Sequence, residues 1–299
     1  MVLSANKSAP VVLLAGQYQN GKSTLVNCLL SGCYAIEGDG LATTATRTKY
    51  SYSDGKDRYY QVSPDGSLKL LRSGVRRTID RSNDAVSYRV EANVGLLKEM
   101  TLIDAPGWGS GDGDDKQAAL SLDGVDFVVY LAQQRQLSDA DRAFLKLLRK
   151  RRTYFSVLLN VLRKTDPSEP DPQQVCAAIE GVIKQCGVND QFIRFPSPSG
   201  ICAVNLLWAK YGAHLLDEPV GQREKEQLAI LQKICADDGS GVGLTHSDIA
   251  RLSGFNSWIE FLKCAVELVP SFRPPQECDL HKRIVDSLCG NLISIMEGA

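Results

Sequence analysis

The first strong pattern in the chain is an unbroken apolar run, Pro10-Val11-Val12-Leu13-Leu14-Ala15. It is partly β-branched and has no polar alternation, which predicts a strand buried on both faces, as in a parallel sheet. Between Ser23 and Leu30, the pairs Leu25/Leu29 and Val26/Leu30 stand four residues apart. That is helical spacing, and Gly32 ends the helix. Residues 34–48 are rich in Gly, Thr and Ala and have no period, so they read as a loop. From Lys49 to Glu91 tyrosines and valines lie among turn signals, Asp54-Gly55 and Pro64-Asp65-Gly66, which predicts hairpins at a sheet edge.

Further apolar runs follow at Met100–Ile103, Val125–Ala132 and Tyr154–Leu162, with a shorter one at Phe192–Phe195. Helical patterns lie between them. Ser138-Asp139-Ala140-Asp141 caps one that runs to about Arg151 with Phe144, Leu145 and Leu148 on its apolar face, and Val175–Cys186 is another. Alternating strands and helices predict an α/β fold, with a mostly parallel sheet covered by helices on both faces. Beyond residue 205 only helical patterns remain, at 206–216, 223–236, 245–251, 255–269 and 280–296. The expected organisation is one domain over 1–269 with a helical insertion at about 206–250, followed by a helical extension over 270–299. Ile284, Leu288, Leu292 and Ile295 form an apolar stripe in that extension. Such a stripe packs on its own domain or docks a partner.

Composition narrows the function classes. The 299 residues carry 34 basic and 35 acidic side chains, a net charge of −1, without the basic excess of a nucleic-acid binder. The nine cysteines form no Cys-x-x-Cys pair, which gives no sign of a zinc or thiol-exchange site and reads as reduced thiols in a cytoplasmic protein. No run reaches the ~18 apolar residues of a bilayer span, so any membrane contact is expected to be peripheral. Arg149-Lys150-Arg151-Arg152 ends a helix, where cations suit the helix dipole. His214, His246 and His281 are isolated in the sequence.

The chemistry concentrates in four segments. Gly16-Gln17-Tyr18-Gln19-Asn20-Gly21-Lys22-Ser23-Thr24 joins the first strand to the first helix. Its glycines let the loop curl with backbone N–H groups turned inward on a phosphate, and the helix N-terminus adds to that field. Lys22 brings a cation to the β- and γ-phosphates, and the Ser23 hydroxyl is a Mg²⁺ ligand. Asp104-Ala105-Pro106-Gly107 follows an apolar strand; Asp104 is placed to hold Mg²⁺, and the Gly107 N–H to meet the γ-phosphate. Thr43-Thr44 lies in the loop after the first helix, with Thr44 the first choice to complete the Mg²⁺ shell. Lys164-x-Asp166 offers a carboxylate to the donor pair of guanine and the lysine stem to the face of the base. Ser199-Gly200, after the last expected strand, is a weaker candidate for a base contact.

In this order the segments resemble the translation-factor-like GTPases, and most of all the dynamin superfamily, in particular bacterial dynamin-like proteins. Gly16 to Leu30 is similar to their Gly-Glu-Phe-x-x-Gly-Lys-Ser-Thr-Leu-Ile-Asn-Ala-Leu-Leu. Leu41-Ala42-Thr43-Thr44-Ala45 resembles their Pro-Thr-Thr-Ala switch loop, and Ser253-Gly254-Phe255 with the helix after it resembles the end of their GTPase domain. The resemblance covers about residues 10–269. It implies a phosphate-loop GTPase fold that binds GTP and GDP with Mg²⁺ and forms a homodimer across the nucleotide face.

Three departures bear on mechanism. Gln19 stands where dynamins often have serine, Arg163 where asparagine or threonine is usual, and the long helical stalk is missing. Trp108 follows Gly107 where a water-orienting glutamine is usual, and an indole accepts no hydrogen bond. Trp108 serves either as an apolar sensor of a partner or as a core cover. Gln19, the Thr44 backbone or a partner molecule would then position the water, with slow turnover raised by self-association. Two other function classes stand beside this one. One is a nucleotide-gated interaction protein, signalling through its switch loops to a membrane or a helical partner protein. The other is a ribosome-associated assembly GTPase, which the charge balance disfavours.

Overall fold

The computed structural model describes residues 9–35, 47–71, 87–107, 122–162, 171–213, 215, 222–237 and 245–269. Nine strands form one sheet: β1 (Val11–Ala15), β2 (Arg47–Tyr52), β3 (Arg58–Val62), β4 (Leu68–Leu70), β5 (Ser87–Ala92), β6 (Thr101–Asp104), β7 (Phe127–Gln133), β8 (Tyr154–Asn160) and β9 (Cys202–Val204). The order is β4-β3-β5-β2-β6-β1-β7-β8-β9. From β6 to β9 every pairing is parallel. β2 runs antiparallel to β6 and parallel to β5, and β3 is antiparallel to both β5 and β4. The sheet is therefore mixed, with its parallel part around β1.

Among the described residues eight α-helices occur: α1 (Lys22–Leu30), α2 (Leu96–Glu99), α3 (Asp139–Arg151), α4 (Pro172–Cys186), α5 (Leu206–Gly212), α6 (Gln222–Asp237), α7 (His246–Leu252) and α8 (Phe255–Leu268). Their boundaries have local causes. Ser138 and Asp141 make a reciprocal capping box at the start of α3. Asp171 caps α4 and Pro172 fills its first position, so the helix begins earlier than the expected Val175. Thr245 and Asp248 repeat the capping box at α7.

The unbroken apolar runs divide between two cores. Val12 and Leu14 of β1 face α1 and α8, where Leu25, Leu29, Trp258, Phe261 and Leu262 are buried. Leu13 and Ala15 face the other way, towards Phe144, Leu145 and Leu148 of α3 and Ile179 and Ile183 of α4. A strand with both faces covered has no reason to alternate polar with apolar. A smaller cluster, Trp208, Tyr211, Leu231 and Ile249, joins α5, α6 and α7.

Two expectations are corrected. The last strand is Cys202–Val204, not Phe192–Phe195. Phe192 keeps a single bridge to Phe155, and the chain then turns, with the Phe195 N–H donating to the Gly200 carbonyl. Pro196 and Pro198 lack the N–H groups a ladder needs there. The edge hairpins reduce to β3–β4, because β5 inserts between β2 and β3. The expected loop at 34–48 overlaps β2 at its end, and its residues 36–46 lie outside the described residues, as does 280–296.

Candidate nucleotide site

β1 lies between β6 and β7, so the loop after it leaves the sheet where neighbouring connections go to opposite sides. Ligands of open α/β sheets bind at such a point, beyond the carboxyl ends of the strands. Gly16 has φ +150°, and a Cβ there would lie 2.4 Å from the Leu131 carbonyl oxygen. Only glycine lets the loop pass this close to β7. Gln19 and Gly21 also adopt positive φ, +62° and +93°.

Lys22 closes the loop from within. Its Nζ donates to the carbonyls of Gly16 and Gln17, each at 2.9 Å. The side chain is 6% exposed, and burial lowers the ammonium pKa to about 8, with Asp104 opposing the shift. Asp104, the last residue of β6, is 1% exposed; burial lifts its carboxyl to about 6 against the pull of Lys22. Gly107 completes the pocket rim. A Cβ on it would meet the Tyr18 backbone at 2.7 Å and Lys22 Nζ at 3.0 Å. The phosphate loop, Lys22, Asp104 and Gly107 are thus brought together.

Asp104 Oδ1 is buried and has no hydrogen-bond partner among the described residues. A buried carboxylate oxygen left open beside a phosphate loop fits the donor chemistry of a hard cation such as Mg²⁺. Ser23 follows Lys22 at the start of α1. Thr43, Thr44, Lys164 and Asp166 lie outside the described residues.

Three polar side chains of the loop's surroundings, Gln133, Asn160 and Arg135, escaped the sequence reading. β7 and β8 run beyond the end of β1: Ala15 pairs with Tyr130, while Gln133 pairs with Asn160. These overhanging ends flank the phosphate loop. Gln133 Nε2 donates to the Gln19 carbonyl at 2.6 Å, and Asn160 Nδ2 to the Asn20 carbonyl at 3.3 Å. Arg135 Nη2 donates to Gln17 Oε1 at 2.8 Å, and Gln17 Nε2 donates to Ser138 Oγ and to Asp141 Oδ2. The available signal was a polar residue at or near the end of an apolar run, Gln133 just after Ala132 and Asn160 within Tyr154–Leu162. Asn160 also shows that the strand-end amide lies three residues ahead of Arg163.

Ser199 and Gly200 are corrected as base contacts. They precede β9, at the strand end away from the phosphate loop, where Arg194 Nη1 reaches the Ser199 carbonyl. With β9 placed, the residues that follow the last strand are Asn205 and Leu206, and the Leu206 N–H donates to Asn160 Oδ1 at 3.4 Å. Gln19 is exposed on the loop.

Several solved structures are similar in part. Two come from a study of an oligomerised bacterial dynamin pair in long-range sensing and tethering of membranes, at 13% and 17% identity and TM-scores of 0.45 and 0.46. Each match covers 86% of this chain but only 38% of the dynamin chain. Aquifex aeolicus Era bound to GDP and aluminium fluoride matches at 15% identity and TM-score 0.39, over 73% of this chain and 60% of that one. Likeness of this degree bears on neither activity nor partner. No curated protein matches the sequence significantly. The profile of the family described as 50S ribosome-binding GTPase matches residues 11–162, which span β1 to the end of β8 and every described element of the phosphate pocket. The chain belongs to this phosphate-loop GTPase family.

Proposed function

We propose that the protein binds GTP with Mg²⁺ and hydrolyses it slowly to GDP and phosphate, with turnover raised when two copies associate across the nucleotide face. The observation that carries this reading is the pocket in which Lys22, held by two loop carbonyls, stands beside the unpartnered oxygen of Asp104. On binding, the phosphates replace those carbonyls as acceptors for Lys22, whose charge then offsets the charge gathering on the transferred group. Ser23, Asp104 and Thr44 are the residues that would hold Mg²⁺. The ion would neutralise the β- and γ-oxygens. Asp166 would read guanine, with Lys164 over the base.

Dynamin-like behaviour is supported by the sequence likeness of Gly16–Leu30 and Thr43-Thr44. The ribosome named in the family description is a competing partner, to which a net charge of −1 lends no electrostatic support. No described helix is long and apolar enough to cross a membrane. A cytoplasmic setting fits the cysteine usage. One observation favours a second reading, that of a nucleotide-gated interaction protein. Trp108 follows Gly107 and cannot orient water by accepting its hydrogen bond, so chemistry would be slow enough for the bound state to act as a signal.

The test is titration calorimetry with GTP, GDP and ATP on the wild type and Asp166→Ala, with turnover measured against protein concentration. Equal affinity for ATP and GTP would sink the base assignment. Turnover per molecule that does not rise with concentration would favour the gated reading.

A further inference from the structure

The helices beyond β9 lie outside the matched family segment, yet a polar chain runs from them to the phosphate loop. Asn160 Nδ2 donates to the Asn20 carbonyl at 3.3 Å, and its Oδ1 accepts from the Leu206 N–H at 3.4 Å. The Leu206 side chain sits against the loop as well, with its Cδ1 3.3 Å from where a Cβ on Gly21 would be. Leu206 is placed by Asn205, which caps α5 by accepting from the Trp208 N–H at 3.1 Å. Asn205 is in turn held by α6: its Nδ2 donates to Gln227 Oε1 at 2.9 Å, and Trp208 Nε1 donates to the Gln227 carbonyl at 3.1 Å. Asn205 and Gln227 are 5% and 4% exposed. A buried amide pair that loses one member leaves the other unsatisfied, so the pair holds one geometry.

We infer that Gln227 is a positioning residue for the nucleotide site. It fixes Asn205, and so the Leu206 backbone and Asn160, in the arrangement that preorganises the phosphate loop. The helical region and the nucleotide are then linked: whatever draws α6 away weakens nucleotide binding, and nucleotide bound at the loop steadies α6 by the same factor. The inference rests on the reading that this loop binds guanine nucleotide. It adds the element that regulates it.

The test compares three variants of the full chain. Gln227→Met keeps the volume and removes the acceptor. Gln227→Glu keeps an acceptor oxygen. Ile183→Ala opens a cavity in α4 at a fully buried position, in the core on the other face of the sheet from Leu206. GTP and GDP affinities are measured for each, with melting temperatures alongside. The expected result is affinity about 5- to 10-fold weaker for Gln227→Met, within the usual coupling range. Gln227→Glu should stay within about 2-fold of the wild type, and so should Ile183→Ala despite a larger loss of melting temperature. Amide exchange in α6 should slow on adding nucleotide to the wild type and not to Gln227→Met. Equal affinities for Gln227→Met and the wild type would overturn the inference, as would an equal loss in Ile183→Ala, which would make the effect one of stability. A wild type that binds ATP but not GTP would end the base assignment and leave the Gln227 comparison to be read with ATP. A wild type that binds no nucleotide would overturn both.

Discussion

The two halves of the sheet are built on different terms. β6, β7 and β8 are buried along nearly their whole length, and both faces of β1 are covered by helices. β3 and β4 are not: every residue of β4 is exposed, with Leu68 at 48% and Leu70 at 58%. The covered half has no slack, and that is where backbone and side chains converge on the phosphate loop. The open half has room to spare and holds none of the described pocket residues. Close packing and chemistry coincide here because a pocket that must place Lys22 and Asp104 side by side needs walls that do not move.

The largest expected effect contrasts two glycines. Gly16→Ala drives a Cβ to 2.4 Å from a backbone oxygen at φ +150°. Strain and overpacking together should destabilise the fold by roughly 2–5 kcal/mol and abolish nucleotide binding. Gly66 in the β3–β4 turn has φ +82° with nothing within 4 Å of a Cβ, so Gly66→Ala should cost only the local strain, about 1 kcal/mol. Urea unfolding measures both. Equal losses would break the contrast between the halves.

Next comes Lys22→Ala. Loss of a charge-assisted contact to phosphate should weaken GTP binding by about 3 kcal/mol, on the order of 100-fold in calorimetry. The free protein should melt no lower than the wild type. Burial holds the Lys22 pKa at about 8 rather than the usual 10.5, so the ammonium is a burden on the empty fold. A melting temperature that falls together with affinity would make Lys22 a structural residue.

The same shifts set a pH dependence of about 1.4 kcal/mol per unit. Lys22 in the free protein loses its proton near pH 8, whereas bound phosphate holds the charged form. Affinity should therefore fall as pH rises past about 8, with one proton taken up on binding, read from heats in two buffers. Lys22→Ala should be flat over that range. At the acid end burial holds Asp104 near 6. Its protonated form cannot ligate a cation, so the Mg²⁺-dependent part of affinity should fall as pH drops below about 6. The stability signs run the other way. A depressed Lys22 pKa means the empty fold gains stability as pH climbs from about 8 to 10.5. A raised Asp104 pKa means its contribution is present below the usual 3.8 and lost as pH rises through about 6.

Legibility in the sequence follows the same division. The covered half was readable because an unbroken apolar run ending in Gly16 or Asp104 has few alternatives as a buried strand and its loop. The open half was not, since residues 49–91 alternate only weakly, and local turn signals cannot say that β5 inserts between β2 and β3. Phe192–Phe195 misled because two apolar aromatics suggested a strand. They serve instead as packing, Phe192 stacked on Phe155 and Phe195 edge-on to Phe261, while the real strand, Cys202–Val204, is only three residues long. Asn160 was missed for a different reason. Its role comes from β8 overhanging β1, and that register is a tertiary fact.

The smallest expected effect sharpens the comparison from the open side. Leu68→Lys and Leu70→Lys each place a charge on the exposed edge strand, where replacement should change stability by no more than about 0.5 kcal/mol. Leu102→Ala, at a fully buried position of β6, should cost roughly 2–5 kcal/mol. The double variant also separates two routes to self-association. Charges on an edge strand hinder edge-to-edge sheet pairing. If copies meet across the nucleotide face, the rise of GTP turnover with protein concentration should be the same in the double variant and the wild type. If the rise disappears, association runs through β4. The open half would then take part in function, and the division of labour drawn between the two halves would fail.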